Sequence, residues 1–179
     1  MTKVLVLLAN GFEEIEATTI VDVLRRAELD VTTAALEVVN VRGAHGITLL
    51  ADCELREVQD KPFEAVILPG GMPGSRNLRD DARVIDLLQR QAHQDKYLGA
   101  ICAAPIALEA AGVLTGKRAT SYPGHPLPSA QVSESRVVVD GKLVTSRGPG
   151  TALEFSLEWV KILVGVEKAE KLRQDMIAR

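Results

Sequence analysis

The chain has 179 residues, of which 46% are hydrophobic, 25% charged and 3% aromatic, and its formal net charge is −3 at pH 7. This composition predicts one globular domain, residues 1–179, and excludes a disordered chain. The acidic balance, without any basic cluster, gives no indication of binding to nucleic acid or to a membrane surface.

The first apolar run predicts a buried strand and not a targeting segment. Residues 3–9 are too few to cross a membrane, and an acidic stretch that begins at Glu13 follows without a cleavage site. The only cysteines are Cys53 and Cys102. Two cysteines argue against a disulfide framework and favour a cytoplasmic protein.

Strands and helices alternate along the chain. Short apolar runs predict strands, and apolar residues at helical spacing predict helices. The predicted strands cover residues 3–9, 31–36, 65–68 and 97–101; hairpins cover 38–55 and 137–145; and helices cover 13–29, 78–94, 103–113, 151–164 and 167–177. This order predicts an α/β fold, a flavodoxin-like sandwich with a mainly parallel central sheet and helices on both faces.

Three loops follow the carboxyl ends of predicted strands, where such sheets bind ligands. They lie at Asn10-Gly11, at Pro69-Gly70-Gly71 and at Cys102. A turn between strand and helix would place the Cys102 sulfur near a helix N-terminus, where the thiolate is favoured and a nucleophile is accessible. A buried structural cysteine is the alternative, and the spacing leaves both open.

The Gly70-Gly71 turn allows backbone amides to approach a ligand closely. Together, the amides of Gly71 and Ala103 form a candidate oxyanion cradle. A plain turn from strand to helix is the alternative explanation of the two glycines, and the spacing by itself favours it.

Acidic residues crowd the first turn of the first predicted helix. Interaction with the helix dipole accounts for Glu13 and Glu14. Glu16 falls on the apolar side of the helix, where burial would keep its carboxyl protonated and able to donate a proton. From the residues alone, the helix dipole remains the simpler explanation of Glu16 as well.

The remaining histidines and cysteines show no ligand pattern. His93 is expected to be solvated on a helix, and Cys53 to be a half-buried strand residue. His125 lies in a loop that could reach the pocket, although a solvated loop position is the simpler reading. No pair of these residues has metal-ligand spacing, so the sequence predicts neither a metal site nor a cofactor.

Four motifs in order resemble the ThiJ/PfpI superfamily, specifically a bacterial-type member of its DJ-1 branch. The resemblance covers nearly the whole chain. The motifs are Gly11-Phe12-Glu13-Glu14-Ile15-Glu16, Leu68-Pro69-Gly70-Gly71, Ala100-Ile101-Cys102-Ala103-Ala104-Pro105 and Thr145-Ser146-Arg147-Gly148-Pro149-Gly150-Thr151.

The resemblance implies the roles of individual site residues. Cys102 would be the nucleophilic, oxidation-prone cysteine, and Glu16 the protonated glutamate that is hydrogen-bonded to its sulfur. Gly71 and Ala103 would supply the flanking amides. The pocket would be completed by Gly70, Tyr122, His125 and Pro149.

Two residues depart from the pattern of the superfamily. Tyr122 stands where many relatives have a histidine, with His125 three residues on, and His45 replaces an arginine of the hairpin strand. We therefore expect these two departures to affect which substrate the protein prefers. The resemblance also implies a homodimer with its site near the subunit interface.

The resemblance favours an enzyme that converts glyoxal, methylglyoxal or their glycated adducts without glutathione, as a glyoxalase or deglycase. The alternative is an oxidative-stress sensor or redox-regulated chaperone, in which Cys102 becomes a sulfinate. A PfpI-like protease or amidase is weaker, because Ala103 stands where those relatives have a histidine.

Overall fold

A computed structural model describes residues 1–178 of the chain. Its strands and helices alternate in the predicted way. The strands are β1 (Lys3–Leu8), β2 (Asp30–Ala35), β3 (Asn40–Arg42), β4 (Thr48–Leu50), β5 (Cys53–Glu54), β6 (Ala65–Leu68), β7 (Tyr97–Ile101), β8 (Arg118–Ala119), β9 (Gln131–Val132), β10 (Val137–Asp140) and β11 (Leu143–Ser146). The helices are α1 (Glu14–Arg26), α2 (Gly74–Asp80), α3 (Ala82–His93), α4 (Pro105–Ala110), α5 (Ala152–Leu163) and α6 (Val166–Asp175).

The central sheet has seven strands in the order β10-β11-β7-β6-β1-β2-β5. Only β10 is antiparallel to its neighbour, and the other pairs run parallel. Helices α1, α5 and α6 pack together on one face, and α2, α3 and α4 on the other. The predicted flavodoxin-like sandwich is confirmed.

The two faces of the sheet bury separate apolar cores. One contains Phe155 and Trp159 of α5, and the other contains Leu87 and Leu88 of α3. The central strands are buried along nearly their whole length because helices cover both faces. Within residues 1–178, no helix combines the length and the apolar character that a membrane crossing needs.

Several predicted boundaries are wrong. The helix predicted over 78–94 is two helices, because Asp81 adopts an extended backbone and its carboxylate caps α3 by accepting a hydrogen bond from Arg83 N. The helix predicted from Ala103 begins only at Pro105. The hairpin predicted over 38–55 is formed by β3 and β4 alone, since Cys53 starts a strand that pairs with β2 in the main sheet.

The predicted meeting of three loops is confirmed. Strands β1, β6 and β7 are neighbours, so their carboxyl ends open onto the same edge. A methyl group added to Gly70 would lie 2.6 Å from Cys102 Cβ, and one added to Gly71 would lie 2.6 Å from the carbonyl oxygen of Gly11. Only glycine fits such close approaches of backbone.

Candidate active site

Cys102 occupies a strained turn between β7 and α4. Its φ is 62°, in the left-handed region that residues other than glycine rarely adopt. Two hydrogen bonds hold this turn: Cys102 N donates to Ser146 O at 2.9 Å, and Cys102 O accepts from Tyr122 N at 2.8 Å. The residue is 9% exposed. The turn thus fixes the direction of the sulfur while keeping most of the residue out of solvent.

The Glu16 side chain reaches this turn from the first turns of α1. Glu16 is completely buried, and its Oε2 accepts a hydrogen bond from Gly70 N at 2.7 Å. The Cys102 thiol lies beside the same carboxyl. Of the two carboxyl oxygens, Oε1 is buried and has no hydrogen-bond partner in residues 1–178 that meets regular geometry. A carboxyl oxygen beside the thiol is therefore available for proton exchange.

Burial changes the acidity of both groups. Burial raises the pKa of Glu16 to about 7, against the opposing effect of the hydrogen bond from Gly70. Burial and the charge of Glu16 raise the pKa of Cys102 to about 12. The prediction that the Cys102 thiol is acidic is therefore wrong, because burial and the ionised Glu16 carboxyl both raise its pKa. A nearby helix N-terminus favours the thiolate, but desolvation and the neighbouring carboxylate oppose it and dominate here.

Two backbone amides oppose this rise in the pKa of the Cys102 thiol. Hydrogen bonds from the N–H groups of Gly71 and Ala103 lower the pKa of Cys102. Gly71 has φ +91°, a conformation suited to glycine, and this directs its amide towards Cys102. The structure therefore brings together Cys102, Glu16 and three residues predicted around them, Gly70, Gly71 and Ala103.

The other predicted pocket residues lie further along the same edge. The Tyr122 ring packs over Gly148, where an added methyl group would lie 3.1 Å from Tyr122 Cδ2. The centre of the His125 ring lies 6.3 Å from the centre of the Tyr122 ring. These two rings border a groove of about 320 Å³ that Arg147 also lines. Pro149 is half-buried at the start of a single helical turn, Pro149–Thr151.

Sequence reasoning missed a second group of ionisable residues beside the site. Glu14 is buried, and its carboxylate accepts hydrogen bonds from the backbone of His45 at 2.6 Å and of Ile47 at 3.3 Å. His45 Nδ1 lies 2.9 Å from Glu14 Oε2, and this contact raises the pKa of His45. The helix dipole alone therefore does not explain Glu14. No local pattern could reveal this, because positions 14 and 45 meet only in the fold.

Comparison with known proteins shows the family of this chain. A model of the DJ-1/PfpI family matches residues 2–162. The chain belongs to the DJ-1/PfpI family. It is 40% identical over 182 residues to Protein DJ-1 homolog A of Arabidopsis thaliana, in an alignment that covers 98% of this chain and 46% of the relative. The chain thus spans about half the length of that DJ-1 relative.

Two further DJ-1 relatives are matched over most of their length. The crystal structure of Drosophila melanogaster DJ-1beta has a TM-score of 0.96 and 39% identity, with 99% of this chain and 98% of the other covered. A Caenorhabditis elegans relative, named glutathione-independent glyoxalase DJR-1.2, is 34% identical over 92% of this chain and 89% of its own. The DJ-1/PfpI family thus contains at least one member named for glyoxalase activity.

Proposed function

We propose that this protein is a cysteine-dependent, glutathione-independent glyoxalase or deglycase that acts on glyoxal, methylglyoxal or their adducts. The observation that carries the proposal is the position of the Cys102 sulfur, between the Glu16 carboxyl and the amides of Gly71 and Ala103. The name of the Caenorhabditis elegans relative supports the same substrate class.

The first step forms a bond between Cys102 Sγ and the aldehyde carbon of methylglyoxal. A thiol with a pKa of about 12 needs a base, and Glu16, with a pKa of about 7, takes its proton as the sulfur attacks. Glu16 then returns this proton to the former carbonyl oxygen, giving a hemithioacetal. A pKa near neutrality suits a group that both accepts and donates a proton.

The second step moves a proton between the two carbons of the bound substrate. The Glu16 carboxylate removes the hydrogen from the former aldehyde carbon and returns it to the neighbouring carbon of the resulting enediolate. The hydroxyl proton on the former aldehyde oxygen moves to the former ketone oxygen. This leaves a lactoyl thioester on Cys102. Water cleaves the thioester, releases lactate and restores the thiol, so methylglyoxal and water give lactate with no external oxidant or reductant.

A Glu16→Gln substitution tests the acid–base role. The amide keeps the size of the side chain but cannot shuttle a proton, so kcat for methylglyoxal is expected to fall by about 100-fold or more. Unfolding in urea, followed by circular dichroism, controls for loss of the fold. A folded Glu16→Gln protein with wild-type kcat would show that Glu16 is not the proton carrier.

A redox sensor or redox-regulated chaperone is the second candidate function. The amides beside the Cys102 sulfur and the free Oε1 of Glu16 are suited to hold the oxygens of a sulfinate. Cys53 is an internal control for the oxidation of Cys102. It is half-buried on β5, and burial and the charges of Glu57 and Asp52 raise its pKa. Mild peroxide followed by peptide mass spectrometry is expected to give a sulfinate on Cys102 before Cys53. Preferential oxidation of Cys53 would contradict the sensor role.

Assembly into a homodimer and residence in the cytoplasm complete the proposal. The exposed apolar residues Ile15, Ile47 and Leu50 support the dimer. The two free cysteines suit a reducing compartment. The matched relatives are eukaryotic and bacterial, so membership of the bacterial-type branch rests on the motifs alone.

A further inference from the structure

Three ionisable side chains converge at the start of α1, beside the proposed active site. His45 Nδ1 lies 2.9 Å from Glu14 Oε2 and 3.4 Å from Glu13 Oε2. One ligand atom from each of the three residues lies within 4.8 Å of the others. The cluster therefore combines one imidazole nitrogen with two carboxylate oxygens.

The loop that carries His45 is built around the Glu14 carboxylate. Oε1 of Glu14 accepts two backbone hydrogen bonds, from His45 and Ile47. Gly43 passes so close to this carboxylate that an added methyl group would collide with it. Because Oε1 is fixed by the backbone, Oε2 is directed towards the His45 ring. Two members of the cluster are thus held in place by the fold.

The burial of the Glu13 side chain is a second, independent observation that points to a bound cation. This side chain is only 10% exposed, yet its carboxylate makes no hydrogen bond within residues 1–178. The nearest ionisable nitrogen is His45 Nδ1, at 3.4 Å, beyond good hydrogen-bond length. A buried carboxylate is costly unless it is paired or binds a cation. The Glu13 carboxylate therefore faces the cluster, and the His45 ring is its one ion-pair partner within residues 1–178.

Two separations within the cluster, both from His45 Nδ1, match those of a metal coordination shell. Zinc holds nitrogen and oxygen ligands at about 2.0–2.2 Å, which puts neighbouring ligands about 2.8–3.6 Å apart at octahedral or tetrahedral angles. The observed separations from His45 Nδ1 are 2.9 and 3.4 Å. We propose that Glu13, Glu14 and His45 bind a divalent transition metal ion of the zinc type, with open positions for water or a small ligand.

The chemical class of the ion follows from the donors. Imidazole with carboxylate suits zinc, nickel or copper, whereas calcium and magnesium prefer oxygen ligands alone. The sequence-based expectation of no metal site rested on spacing along the chain. Ligands at positions 13 and 45 give no such signal, because the contact of the β3–β4 turn with α1 creates the cluster.

Zinc titration of tag-free protein by calorimetry tests the proposal. Wild type and Cys102→Ser are each expected to bind one zinc ion per chain. Glu13→Gln and His45→Gln are each expected to weaken binding by at least about tenfold. Glu13 is chosen over Glu14 because the Glu14 carboxylate also holds the loop. His93→Gln, on the exposed surface of α3, is the matched control and should bind as wild type does.

Cobalt spectroscopy separates this site from binding at the active-site sulfur. Cobalt at the proposed cluster is expected to give visible bands without a sulfur-to-cobalt charge-transfer band in the near ultraviolet. Two results would overturn the proposal. One is the absence of zinc binding by folded wild type, and the other is binding that Cys102→Ser abolishes while Glu13→Gln and His45→Gln retain it.

Discussion

At the scale of residues, Cys102 illustrates what a motif predicts and what it omits. The motif placed Cys102, Glu16, Gly71 and Ala103 in one site, and the fold brings all four together. It did not predict the high pKa of the thiol, because burial depends on the complete core. The motifs indicate which groups lie in the site, whereas the acidity of these groups is a property of the assembled structure.

Gly70 offers a test of how closely the site is packed. In Gly70→Ala, the new methyl carbon would lie 2.6 Å from both Cys102 Cβ and Glu16 Oε2, so one of these residues must move. A shift of about 1 Å between reacting groups costs about 100-fold in rate, and overpacking costs about 1–3 kcal/mol in the free energy of unfolding. Methylglyoxal turnover and urea unfolding measure the two effects.

Gly150→Ala is the matched control for Gly70→Ala. Gly150 has no atom within 4 Å of an added methyl group, so turnover and stability are expected to stay near wild type. Equal turnover by the two alanine variants would show that the spacing between Cys102 and Glu16 does not limit the reaction.

At the scale of elements, continuous apolar runs were predicted better than two-residue strands. Strands β6 and β7 have the predicted bounds, because continuous apolar runs leave little choice for a buried parallel strand. The two-residue strands β8 and β9 were missed. So short a pairing carries no periodic signal, and tertiary contacts decide it. The break at Asp81 was also missed, since its capping role depends on a backbone conformation set locally.

Asp52 joins β2 to α1 and gives a prediction about stability. Partial burial opposes its ionisation, but hydrogen bonds from the Thr33 N–H and hydroxyl and the ion pair with Arg25 outweigh burial and lower its pKa. A lowered folded-state pKa stabilises the protein above the unfolded pKa of about 3.9, and this contribution is lost as pH falls through the folded value.

Asp52→Asn is therefore expected to lower the free energy of unfolding at neutral pH by about 1 kcal/mol, a value reduced for the partial exposure of the ion pair. The difference from wild type should shrink as the pH approaches about 3 and below. Urea unfolding over a series of pH values measures it. Asp22→Asn, in the exposed pair with Arg26, should change stability by less than about 0.5 kcal/mol. A loss in Asp52→Asn that does not vary with pH would contradict the electrostatic explanation.

At the scale of the whole molecule, the topology brings together side chains that lie far apart in the sequence. The order of strands and helices predicted the sandwich. The resemblance predicted the Cys102 site, and its four motifs all fall at the carboxyl edge of the sheet. The cluster of Glu13, Glu14 and His45 was not predicted, since the turn between β3 and β4 must first pack against α1.

The same packing leaves apolar side chains exposed on one surface. Ile15 and Ile47 are each 57% exposed and Leu50 is 72% exposed, around the contact between α1 and the β3–β4 hairpin. Apolar clusters of this kind mark association surfaces. Sedimentation equilibrium is expected to give twice the mass of one chain for wild type and a monomer for Leu50→Glu.

Val166→Glu is the control for this assembly test, because Val166 is 65% exposed at the start of α6, on a different element. It should remain a dimer. A monomeric wild type at micromolar concentration, or a dimeric Leu50→Glu protein, would contradict the proposed surface.

Lactate formation from methylglyoxal, without glutathione, tests the central claim most directly. Wild type is expected to produce one lactate for each methylglyoxal consumed. Cys102→Ser is expected to form lactate more than about 100-fold more slowly, because it lacks the nucleophile. Circular dichroism and sedimentation should show that the variant keeps the wild-type fold and assembly. Absence of lactate with wild type, or undiminished lactate with Cys102→Ser, would contradict the proposed function.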